Sequence, residues 1–465
     1  MGAWDRIRAI LPDSEIVSEA PDTRAAAPAP RVVYDIDDRP PLKEAIPLGF
    51  QHLVAMLLGN ITPPLLITGA LGLATGEVAF VLQMVLVMAG LATLVQAYPI
   101  GPVGGRIPVI MGTSIAFVGG AIAIGRQHGL AVVFGACLAG CLVEIVLGFS
   151  IVRLRWLFPP LVNGIVVMLI GLTLIPVGMD YAAGGVNAAD YGSLTNLGVA
   201  AVVFLITLLL NQFGRGFVSY ASMLIGVTVG YAVAFTLGKV DLTHVADAAW
   251  FALPRPLAYG LEFQWTAILV MGFIYVISTM ETIGDITGTI AAVGREPTDD
   301  ELRGGLIADG VMSGFAALFS AFPNTSYSQN VGLVNFTGVV SRHVTAIGGI
   351  ILVALGVVPK VGALFATIPP AVIGGGGLIM FAMIFASGLS IIHRSVPLTR
   401  RNLVILAVAT GLGLGVELRP DALQYLPEDL RTFFGSGLIA GGLTALVLNL
   451  VFPERQRTEP GRETG

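Results

Sequence analysis

Residues 78–98, "VAFVLQMVLVMAGLATLVQAY", run for 21 positions without an Asp, Glu, Lys or Arg. That length meets the roughly 20 apolar residues a helix needs to cross a bilayer, and residues 196–212 do the same. A chain carrying several such runs must place them in lipid, where only backbone with internal hydrogen bonds is tolerated. Charge agrees with this: 12% of residues are charged, about half the usual share of a soluble domain, and they gather between the runs. The sequence is that of a polytopic, all-α membrane protein.

Apolar runs place spans near 45–70, 78–98, 107–124, 129–151, 156–178, 194–212, 217–238, 266–292, 304–322, 325–340, 344–368, 370–392, 399–417 and 434–452. Residues 1–44 are polar, acidic and rich in Ala and Pro, with no apolar core of a cleavable signal. They read as a disordered N-terminal tail, 45–452 as the membrane domain, and 453–465 as a C-terminal tail. Arg153, Arg155, Arg215, Arg295, Arg303, Arg342, Arg394, Arg400, Arg401, Arg455 and Arg457 fall on one side of the alternation. The positive-inside rule makes that side cytoplasmic, with both termini, although Arg126, Lys239 and Arg255 lie opposite. This reading places the chain in a bacterial-type inner membrane.

Fourteen spans divide into two sevens, and an odd number per half inverts the second against the first. The third and tenth spans are short and carry Gly, Pro, Ser and Thr, and they hold equivalent places in the halves. "GTSIAFVGG" (112–120) lies over "NTSYSQNVG" (324–332). Extended pieces near Val109–Ala116 and after Pro323 are expected to pair antiparallel and satisfy each other's backbone. The half-helices that follow, the second starting near Asn330, would direct their positive ends at a common midplane point.

Ionisable groups inside a span are expensive and mark pathways for substrate or protons. His52 follows Gln51 in "GFQHLVAMLLGN"; Glu281 and Asp285 lie i,i+4 on one face of "STMETIGDITG"; Asp309 sits in "RGGLIADG"; Gln329 and Asn330 open the tenth half-helix. A carboxylate only accepts hydrogen bonds, whereas an amide accepts and donates. Glu281 with Gln329 therefore suits a flat heterocycle whose ring N–H groups flank carbonyls, as in oxopurines and oxopyrimidines. Phe117 overlays Gln329 and offers a ring for stacking, against the commoner role of an aromatic in packing. The lone Glu144 reads as a helix-packing or interfacial residue. Cys137 and Cys141 read as small packing residues, and "VIGGGGL" (372–378) as a close helix contact rather than a nucleotide loop.

"QNVGLVNFTG" resembles the signature of the nucleobase–ascorbate transporters, the uracil/xanthine permeases. Gln329, Asn330, Gly332, Thr337 and Gly338 fill its fixed positions. The Gln51–His52 pair, Glu281 with Asp285, and Asp309 are similar to that family as well, over about residues 42–452. The resemblance implies a core domain (spans 1–4 and 8–11) moving against a gate domain (spans 5–7 and 12–14), a homodimer, and proton symport, with sodium left open. It also implies that Glu281, Gln329 and Ser328 hold the base with Phe117 stacking. His52, Asp285, Asp309, Asn330, Gln51 and Thr337 would support the site or the proton linkage. Gln329 points to the xanthine and uric acid carriers; uracil carriers have Glu there. Ala116, beside Phe117, departs from some xanthine carriers and leaves xanthine against uric acid open.

Other classes fit less well. A net charge of −5 argues for no nucleic-acid partner. No nucleophile–base constellation or metal-ligand cluster is present, so neither an enzyme nor a cofactor is expected. Sulfate and bicarbonate carriers share the inverted-repeat architecture but lack the Gln-Asn signature.

Overall fold

Apolar runs close their hydrogen bonds within helices. In the computed structural model, which describes residues 32–154, 159–186 and 188–452, the order begins α1 (Leu42–Ala70), α2 (Thr75–Ala97), β1 (Met111–Thr113), α3 (Val118–His128) and α4 (Leu130–Leu154). It continues α5 (Pro160–Ala182), α6 (Leu194–Phe213), α7 (Ser222–Thr236), α8 (Trp265–Ile290) and α9 (Asp299–Leu318). Then come β2 (Asn324–Ser326), α10 (Ser328–Thr337), α11 (Arg342–Gly356), α12 (Pro359–Ala366), α13 (Pro370–Ser395), α14 (Arg400–Leu418) and α15 (Gly437–Val451). Short helical turns occupy some connections.

Among the described residues eight helices are long and apolar enough to cross a membrane, or nine if α11 and α12 form one bent span. The other expected spans are short (α7, α15), broken (β1–α3, β2–α10) or start with three acids (α9). The run expected over 344–368 is not straight. It bends by 82° between α11 and α12, because Pro359 has no N–H to continue the first helix and opens the second instead.

Helices α1, α2, α4, α8, α9 and α11 form one packed group: α4 lies along α8 and α9, and α11 along α1 and α2. In a second group α13 lies along α5 and α6, and α14 along α15. The glycine run makes the second group possible. A Cβ on Gly374 would stand 2.1 Å from Ala182 N of α5, and one on Gly375 would stand 2.4 Å from Ala200 O of α6. Both obstacles are backbone, which cannot swing away. Gly374→Ala is expected to cost about 1–3 kcal/mol through overpacking. Thermal unfolding of the detergent-solubilised protein reads this; an unchanged midpoint would show that α5 and α13 do not meet there.

Cys137 and Cys141 are free and buried. Cys141 Sγ would lie 2.9 Å from a Cβ on Gly314 of α9, so it packs between two helices as expected.

Part of the expected N-terminal tail is held in place. Val33 N and Tyr34 N donate to Gly338 O, Val340 N to Tyr34 O, and Arg342 N to Ile36 O. Asp37 accepts from Arg342 at 2.7 Å and pairs with Arg106 at 3.3 Å. The segment thereby ties the approach to β1 to the residues after α10. Residues 1–31 and 453–465, the rest of the expected tails, lie outside the described residues.

The Arg342 hydrogen bond holds the Asp37 carboxyl below its ordinary range, against a smaller opposing effect of burial. A depressed carboxyl supports the strap above its unfolded pKa of about 3.9 and releases it as pH falls through the lower folded value. Amide exchange at 33–38, taken relative to the intrinsic rate at each pH, should therefore stay constant from neutral pH down to about 4 and accelerate below. Asp37→Asn should accelerate it at neutral pH. Wild-type protection in that variant would show that the backbone bonds alone hold the strap.

Candidate functional site

The site is built where the two broken spans meet. β1 and β2 pair antiparallel, with Met111 opposite Ser326, Gly112 opposite Thr325 and Thr113 opposite Asn324. Ser114 N→Pro323 O and Tyr327 N→Ile110 O extend the pairing at its ends. A two-fold rotation taking 112–120 onto 324–332 requires the two strands to run antiparallel, as they do, and Gly112–Thr325 then maps onto Asn324–Thr113.

All six strand residues are buried, so their outer edges need partners. Helices supply them. Asn60 Oδ1 of α1 accepts from Thr113 N at 2.7 Å, and Tyr327 Oη donates to Thr113 O at 2.7 Å. Thr93 Oγ1 accepts from Met111 N. Ser313 Oγ accepts from Asn324 N. Asn60 and Ser313 were not singled out in the sequence; only the strand edges reveal their work.

α10 starts two residues after β2, and a single 3-10 turn, Ile115–Phe117, joins β1 to α3. α10 begins at Ser328, slightly before the expected Asn330, and no side chain caps it. Ser328 and Gln329 are exposed at its first turn, and Gln329 makes no side-chain hydrogen bond among the described residues. At the far end Thr337 Oγ1 donates to Leu333 O and accepts from Val339 N. Gly338 then adopts φ 67°, the left-handed turn that favours glycine. Thus the motif's last two residues terminate the half-helix and receive the N-terminal strap.

The acids converge on this start. Asp285 accepts from Ser326 Oγ and Ser328 Oγ, both at 2.7 Å, which pins the β2–α10 junction to α8. Asp309, fully buried, accepts from Thr282 Oγ1 at 2.5 Å. Glu281 lies within electrostatic range of Asp285, Asp309 and Tyr327, and its Oε2 is buried with no hydrogen-bond partner. Such an atom normally has a partner, so an orphan here marks a place for a ligand.

His52 and Asn330 form a second, drier pair. Asn330 Nδ2 donates to His52 O at 2.9 Å and lies 3.1 Å from His52 Nδ1. Because the carbonyl can only accept, the nitrogen end of the amide must face His52, and Nδ1 is then the unprotonated ring nitrogen. His52 is 2% exposed; it braces α10 against α1. Gln51 is half-buried beside it and makes no side-chain hydrogen bond among the described residues.

Two residues carried alternative readings in the sequence. Phe117 is 0% exposed, its ring 4.7 Å from that of Tyr275 and edge-on to it. Neither face is open in this arrangement. Glu144 is no interfacial residue. It is 0% exposed, lies 3.4 Å from Thr279 Oγ1 and reaches Asp309. Hydropathy alone could not see it, because the acids it joins lie more than a hundred residues away.

Among the described residues no group of His, Cys, Asp and Glu could hold a metal ion. The arrangement offers an uncapped helix start, an open amide, two hydroxyls and a cluster of buried carboxyls.

Known proteins agree. The Permease family pattern, Xan_ur_permease, matches residues 43–422. The chain is 37% identical over 462 residues to the xanthine permease XanP of Escherichia coli (strain K12), covering 96% of this chain and 99% of that one. It is 39% identical over 410 residues to the uric acid transporter UacT of the same organism, covering 87% and 85%. In fold it is similar to the transmembrane domain of the cyanobacterium bicarbonate transporter BicA, with a TM-score of 0.60 at 15% identity over 90% of this chain and 100% of that one. That last likeness speaks for the fold alone. The chain is a multi-pass membrane permease, not an enzyme, and it belongs to the nucleobase–ascorbate transporter family of uracil/xanthine permeases.

Proposed function

We propose that this permease imports an oxopurine, xanthine or uric acid, by proton symport. The observation that carries the reading is the orphaned Glu281 Oε2, an acceptor-only group beside the open start of α10. An oxopurine ring N–H would satisfy it, while Gln329 matches a mixed donor and acceptor edge and Ser328 backbone adds to the site. Relatives named as a xanthine permease and a uric acid transporter support the same substrate class. Phe117 reaches the base only after its contact with Tyr275 opens.

The two packed groups serve as core and gate: spans 1–4 and 8–11 carry the site, and spans 5–7 and 12–14 form the surface it moves against. The antiparallel pairing of β1 with β2 supports a seven-plus-seven inverted repeat, and α11–α12 supplies the eleventh span. Lipid meets the thinly covered faces of α6 and α14, of which 28% and 22% is buried. The protein works as a homodimer in a bacterial inner membrane, with both termini cytoplasmic.

The test is competition for labelled xanthine uptake in cells without their own carriers. Uric acid or unlabelled xanthine should suppress uptake well before uracil does. Equal or better competition by uracil would overturn the oxopurine assignment and leave the family intact.

A further inference from the structure

Glu144 has no part in the site as read from the sequence, yet the structure buries it fully beside a second acid at a close helix contact. Thr279 and Thr282 stand three apart on α8. Thr279 Oγ1 lies 3.4 Å from Glu144 Oε1 and 2.9 Å from Tyr275 O, which takes its one proton at the shorter distance, and Thr282 Oγ1 donates to Asp309 Oδ2. The other oxygen of each acid, Glu144 Oε2 and Asp309 Oδ1, is buried and has no donor. The two carboxyl groups lie within hydrogen-bonding reach of each other. Glycines force them together: a Cβ on Gly310 would stand 3.0 Å from Ile145 N, so α4 and α9 touch backbone to backbone beside the acids.

Both residues are 0% exposed. Two carboxylates facing each other without water cannot both stay ionised; one proton between them turns repulsion into a hydrogen bond. The groups around the pair add no positive charge. Glu281 and Asp285 face it from α8, Tyr275 is within range with its hydroxyl donated to Cys137 O, and Cys141 lies one turn from Glu144 on α4.

We infer that Glu144 and Asp309 together form the proton site of the transport cycle, holding one proton shared between their carboxyl groups. The inference rests on the proton-symport reading above and adds a second carboxyl to it. The proton taken up on one side of the membrane forms an O–H bond within the pair. The same O–H bond breaks when the proton leaves on the other side, and the pair gains one negative charge. That charge has no counter-ion here, so loss of the proton disfavours this arrangement of α4, α8 and α9.

The experiment uses the full chain in lipid vesicles with an imposed pH gradient and labelled xanthine. In Glu144→Gln, uphill accumulation should fall to the equilibrative level while exchange across the membrane persists, and the pH dependence of xanthine binding should flatten. Glu144→Asp keeps an acid and should keep accumulation with a shifted pH profile. In wild-type protein the infrared carboxylic-acid region should contain a component from the shared proton, and that component should shift or vanish in both Glu144→Gln and Asp309→Asn.

Accumulation by Glu144→Gln in proportion to the gradient, or a carboxylic-acid spectrum unaltered in it, would overturn the inference alone. If Glu144→Gln does not reach the membrane, an unchanged pH profile in Glu144→Asp overturns it instead. A wild-type protein that never accumulates xanthine against the gradient would bring down the symport reading and this inference with it.

Discussion

Replacing Glu281 with Gln is expected to abolish high-affinity binding and transport while leaving insertion and folding unchanged. The exchange keeps size and shape but turns one of two accepting oxygens into a donor. Glu281 Oε2 has no partner among the described residues, so the change breaks no hydrogen bond there and the fold has little to lose. A bound oxopurine would instead meet a donor facing its own ring N–H. An unmade hydrogen bond to a buried group costs about 1–3 kcal/mol, more when charge is involved. Affinity should therefore fall at least roughly tenfold. Equilibrium binding of labelled xanthine to purified protein measures it directly. Wild-type affinity in the variant would make Glu281 a structural acid and move recognition elsewhere along α8 or α10.

Asp309→Asn should separate binding from energy coupling. Asp309 contacts no open surface; it is 0% exposed and held by Thr282. The base is proposed to sit at Glu281 and Gln329, so the amide should leave part of the binding intact. What it removes is an acid that gains and loses a proton. Vesicles carrying the variant should exchange xanthine yet fail to concentrate it, and a protonophore should no longer change the uptake. Accumulation that still follows the imposed gradient would place the proton on another group, with His52 and Glu281 next.

These two expectations draw on different kinds of information. That the chain crosses a membrane follows from residues 78–98 and their kind, because hydropathy is a local sum that needs no knowledge of neighbours. The breaks in the third and tenth spans were equally legible: Pro, Thr and Ser weaken a helix wherever they stand. So were the acids Glu281, Asp285 and Asp309, since an ionisable group in an apolar run is conspicuous by itself. The motif from Gln329 to Gly338 adds the family.

Which groups pair across helices was decided only by the fold. Nothing local told Glu144 from an interfacial acid; its role depends on Gly310 letting α4 approach α9, and on Thr279 and Thr282 facing the gap. Phe117 reads as a stacking ring until Tyr275 closes over it. The run over 344–368 reads as one span, yet Pro359 turns it by 82°. The polar segment before α1 reads as disordered, yet Asp37 finds Arg106 and Arg342, which lie 69 and 305 residues away in the chain. Hydropathy and periodicity report what each stretch prefers toward lipid or water. Hydrogen bonds between distant stretches depend on distances of about 3 Å, and those exist only after the helices have packed.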